Sequence, residues 1–120
     1  MNRRTRLATA ACAALATAGI AVGTLPTAAA AAPAVDCIQN PAANSHNAAQ
    51  FTGTNINIRT GPFTVCTAIG EGQPSHNVTA HCLKFNSNGV PWVYLTDHTT
   101  GKTGWSDEQF VTWSGGLIGC

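Results

Sequence analysis

The stretch Asn55-Ile56-Asn57-Ile58-Arg59-Thr60-Gly61-Pro62 opens the region whose reading decides the fold, and that region runs on to Val111. Ile56 and Ile58 alternate with Asn55, Asn57 and Arg59, the period-2 pattern of a half-buried strand, and Gly61-Pro62 ends it as a turn. Thr64 to Ile69 reads as a second strand, Glu71 to His76 as a loop, and Asn77 to Phe85 as a third strand. Asn86-Ser87-Asn88-Gly89 carries an Asn-Gly hairpin signal, because both residues tolerate positive φ. Pro91 to Thr96 is an aromatic, β-branched strand, Asp97 to Gly101 a turn, and Lys102 to Trp105 a fifth strand. A one-turn helix at Asp107 to Gln109 leads into a last short strand ending near Trp113. Five to six short strands within about 60 residues predict an all-β fold, a small and strongly bent barrel.

Working outward, residues 1–34 read as an export signal. Arg3, Arg4 and Arg6 precede an apolar, alanine-rich run from Leu7 to about Leu25, and small residues follow from Thr27 to Ala34. Cleavage is expected after about Ala30 to Ala34. Residues 35–54, rich in Ala, Asn, Pro and Gln, read as a poorly ordered arm. Residues 55–113 form the barrel, and residues 114–120 are a tail tethered by Cys120. With the leader removed, three bases (Arg59, Lys84, Lys102) face five acids (Asp36, Glu71, Asp97, Asp107, Glu108), a formal net charge of −2. So few, scattered cations leave no electrostatic footprint for nucleic acid. The expectation is a secreted monomer, extracellular or wall-associated, with no membrane contact once the leader is gone.

Cys12 lies inside the apolar run, so the exported chain keeps Cys37, Cys66, Cys82 and Cys120. Four cysteines in a small exported domain read as two disulfides with three possible connectivities. A hairpin centred on Pro74 would set Cys66 opposite Cys82 and leave Cys37 for Cys120, the pairing expected here. A core of this size needs such staples.

The motifs of this region resemble those of the bacterial SH3-like (SH3b) family. The opening Asn57-Ile58-Arg59-Thr60-Gly61-Pro62, the middle pair Trp92 and Leu95, and the closing Gly104-Trp105 with Phe110-Val111 carry the resemblance. The four cysteines are similar to those of small exported actinobacterial members that consist of little more than this domain. Ser106 stands where that family has a buried valine, which predicts a looser core there. The resemblance implies a groove with Trp92 at its mouth and Phe110 beside it, after the one-turn helix. Phe63, Tyr94 and Trp105 would complete an apolar platform for a peptide or the face of a sugar ring.

Catalytic and metal constellations are not expected. His81 and Cys82 are adjacent, so successive strand side chains would point to opposite faces, and His76 and His98 fall in loops. Asp107-Glu108 is the one carboxylate pair, better placed to cap the helical turn than to cleave a glycoside. The expected function is therefore non-catalytic and cofactor-free: binding a peptidoglycan-type peptide or glycan through a shallow aromatic groove. The alternative is a small exported inhibitor or interaction domain, docking on another exported protein through the Pro74 loop.

Overall fold

The computed structural model describes residues 34–42 and 45–120, together with Gly19 and Gly23; the predicted leader lies otherwise outside the described residues. Seven strands form one antiparallel sheet: β1 (Asn47–Phe51), β2 (Ile56–Arg59), β3 (Ala68–Gly72), β4 (Val78–Phe85), β5 (Pro91–Asp97), β6 (Lys102–Asp107) and β7 (Val111–Trp113). A 3-10 turn, Glu108–Phe110, separates β6 from β7. The strand order is β3-β2-β6-β5-β4-β1-β7, and the edge strands β3 and β7 do not pair with each other. The all-β expectation therefore holds, but the sheet has seven strands and is not closed.

The centre is the meander β4-β5-β6, and its turns follow from local chemistry. Asn86 Oδ1 accepts from the backbone N–H groups of Asn88 and Val90, while Gly89 takes φ +75°. Asp97 does the same for the next turn, accepting from Thr99 and Thr100, and Gly101 takes φ +72°. In β4 the register shifts between Ala80 and Cys82, making His81 an extra residue. Ala80, His81 and Cys82 are thereby buried in succession, which strict alternation would not allow. His81 Nδ1–H donates to the Ser45 carbonyl at 3.0 Å, and its Nε2 accepts from the Thr96 hydroxyl at 2.8 Å.

Strand β5 is buried on both faces. Val93 and Leu95 join Phe51, Ile58, Val78, Ala80 and Val111 in the main core. Trp92 and Tyr94 point the other way and pack with Cys82 and Trp105 in a second cluster. The arm and the tail help to cover this second face. Trp105 Nε1 donates to the Gln39 carbonyl at 2.8 Å, and Lys84 Nζ bonds the Gln39 side chain. On the other flank the tail exchanges backbone hydrogen bonds with Leu83 through Ile118 and Cys120.

Three expectations need correction. The arm over residues 35–54 is not merely loose: Asn47–Phe51 is β1, held between β4 and β7. Its order comes from two backbone ladders and the buried Phe51, not from an apolar pattern. The second strand begins at Ala68 rather than Thr64 and runs on through Glu71 and Gly72. Residues 61–66 instead turn tightly, with Phe63 N bonding Gly61 O and Cys66 N bonding Phe63 O. The sheet order overturns the expected pairs Cys66–Cys82 and Cys37–Cys120. No hairpin centred on Pro74 forms, because β3 pairs with β2 while β4 pairs with β1 and β5; Cys66 bonds Cys37 of the arm, and Cys82 bonds Cys120 of the tail. These bridges span 29 and 38 residues, and chain entropy values such links at roughly 3–4 kcal/mol each. Gly61 permits the first of them, because a Cβ there would lie 2.6 Å from Cys37 Cα.

Disulfides of this kind belong to a protein folded in an oxidising compartment. Among the described residues no helix is long and apolar enough to cross a membrane.

Candidate functional site

Trp92 enters at the start of β5, paired across the sheet with Lys84 on β4 and Asp107 on β6. Strand alternation then sets Trp92, Tyr94, Trp105 and Asp107 on one face. Beyond β6 the chain makes its 3-10 turn because Asp107, still extended, accepts from Gln109 N and caps it. The turn closes when Val111 N–H bonds Glu108 O. One consequence is a parting of neighbours: Val111 enters the core while Phe110 stays 39% exposed. Phe110 and Trp92 thus share a cavity of about 240 Å³, completed by Asn55, Ile56, Asn57, Arg59, Thr64 and Asp107.

The walls of this groove come from four sources: β2 and its preceding turn, Thr64 of the 61–66 turn, the start of β5, and the β6 end with its 3-10 turn. Ser106 ties two of them together. It is fully buried, and its hydroxyl donates to Asn57 O at 2.9 Å. The loosening expected from a serine at this core position is thus met by a β6-to-β2 hydrogen bond. Asn55 holds φ +55° with its side chain and backbone bonded to the Gln73 amide. Arg59 Nη1 donates to Cys66 O at 2.9 Å, which anchors the 61–66 turn beside the groove.

Trp92 is the unusual member. The ring is 2% exposed, and its Nε1–H is the one buried side-chain polar atom without a hydrogen-bond partner among the described residues. An orphaned buried donor of this kind costs about 1–3 kcal/mol.

The other sequence candidates lie elsewhere. Trp105 is completely buried, its indole N–H already spent on Gln39, so it supports Trp92 and Tyr94 from below. Tyr94 packs between Trp105 (ring centroids 5.2 Å) and His81 (5.9 Å). Burial pushes its phenol above the ordinary value. Phe63 lines a separate cavity of about 340 Å³ with Val35, Asp36, Gln39, Pro62 and Lys84. The Pro74 loop lacks the disulfide brace expected of a docking loop. It is fastened instead by His76 Nδ1–H to Asp97 Oδ2 at 2.6 Å and by Gln50 Nε2 to Pro74 O.

Sequence reasoning paired Trp92 with Phe110 but missed Asn55, Asn57, Arg59, Thr64 and Asp107 as groove residues. A usable signal was present for two of them: Asn57 and Arg59 alternate with the buried Ile58 of β2 and so share its outward face. Compared with family models, curated proteins and solved structures, the chain matches none of them.

Proposed function

We propose that the chain is an exported, non-catalytic SH3-like module that binds a cell-wall peptide or glycan in the Trp92–Phe110 groove. The observation that carries this reading is the groove shared by the half-exposed Phe110 ring and Trp92, whose buried indole N–H has no partner in the fold. An indole donor beside an aromatic face suits a ligand that offers a carbonyl or hydroxyl oxygen next to an apolar surface. The chain path supports the SH3-like part. The meander β4-β5-β6 runs through a 3-10 turn into β7, which returns to pair with β1, and the β2–β3 hairpin lies against β6. The motif resemblance points to the same arrangement, and the two disulfides accord with export.

Co-sedimentation of the oxidised protein with purified cell walls tests this function. Phe110→Ala is the informative variant, since it removes a half-exposed ring and leaves the core in place. Pellet binding that Phe110→Ala abolishes is the expected result. Protein that stays in the supernatant, or a variant that pellets as well as the parent, overturns the reading.

A further inference from the structure

We infer that the Trp92–Phe110 groove selects an extended peptide bearing a carboxylate. This rests on reading the groove as the binding site, and it follows from how its two charged side chains are engaged. The carboxylate is committed to its own turn: Asp107 Oδ1 accepts from Gln109 N and Oδ2 from Gln109 Nε2. The guanidinium is not: among the described residues Arg59 uses only Nη1, on the uncharged Cys66 carbonyl. Although Arg59 and Asp107 line the same cavity, they form no ion pair.

A guanidinium fork with spare N–H groups is a receptor for a group with two oxygens and one negative charge. One cation is too few for a polyphosphate or a nucleic acid. The peptide part is argued from the same face of the sheet. One strand over, Trp105 Nε1–H already holds a main-chain carbonyl, that of Gln39, while Lys84 takes the Gln39 side chain. This face therefore binds peptide backbone through an indole donor within its own fold. Ile56 and Phe110 provide apolar contact for a side chain beside the carboxylate. The carboxylate comes either from a chain terminus or from an Asp or Glu side chain.

Asp107 gives the inference its sign. Its charge opposes an anionic ligand and would favour a cationic one, and Asp107→Asn removes that charge while keeping an N-cap residue. The experiment titrates the oxidised full chain, by calorimetry, with three peptides: acetyl-Ala-Leu-Ala-Ala as free acid, the same peptide as its amide, and acetyl-Ala-Leu-Glu-Ala amide. At least one carboxylate peptide is expected to bind about tenfold or more tightly than the neutral amide, the preference between the two naming the source. Asp107→Asn should tighten that binding, and Arg59→Gln should abolish it. Equal binding of the neutral amide, weaker binding by Asp107→Asn, no binding of any peptide, or preference for trigalacturonate over all three peptides overturns the inference. If walls still pellet the protein in a Phe110-dependent way, the groove survives that failure; if they do not, the groove reading has failed as well.

Discussion

At the scale of single residues, the account turns on Trp92, whose packing and polarity pull in opposite directions. Its ring fills the second core cluster, so Trp92→Ala should unfold much of that face, at about 3–5 kcal/mol for a buried aromatic. Trp92→Phe separates the two roles. It keeps most of the ring and removes the orphaned donor, so chemical denaturation should show a net change within about 1 kcal/mol, while wall binding is lost. Loss of stability without loss of binding would make Trp92 a core residue alone. Tyr94 provides a pH test. Its folded-state pKa lies above the unfolded value, so the neutral phenol is favoured in the fold. The associated stability is complete below about pH 10 and falls as pH rises through the folded pKa. Tyr94→Phe should flatten this alkaline decline in a urea-denaturation series; an unchanged decline would place its cause elsewhere.

At the scale of elements, β4 to β7 were legible because their signals are local. Asn88-Gly89 and Gly101 mark the turns, and the run between them, Pro91 to Thr96, is aromatic and β-branched. Strand β1 was not legible, since Asn47-Ala48-Ala49-Gln50 has the composition of a linker and becomes a strand only through its two neighbours. The β3–β4 turn illustrates a different non-local tie. Asp97 is fully buried, and His76 reaches it from the far side of that turn. His76→Ala strips a charged acceptor of one partner, so thermal melts near neutral pH should report a loss of about 1.5–3 kcal/mol. An unchanged melting curve would show that Thr99 and Thr100 N–H groups suffice for the carboxylate.

At the scale of the whole molecule, one bridge staples the arm to the 61–66 turn and the other staples the tail to β4, and the arm and tail cover the outer aromatic face. Sequence spacing could not reveal this, because the pairing depends on β3 folding back onto β2 instead of forming a hairpin with β4. Peptide mapping of the oxidised protein should recover Cys37 linked to Cys66 and Cys82 linked to Cys120; the other pairings would refute the arrangement of arm and tail. The groove itself was half legible: the resemblance located its aromatic members, while its polar wall depends on how β2 docks on β6. The most direct test of the central claim is a 15N–1H spectrum of the tryptophan indoles, titrated with soluble wall fragments. The account predicts that the Trp92 Nε1–H resonance moves downfield as it gains an acceptor, while that of Trp105, already bonded to Gln39, stays in place. A saturating titration in which the Trp92 resonance does not move would contradict it.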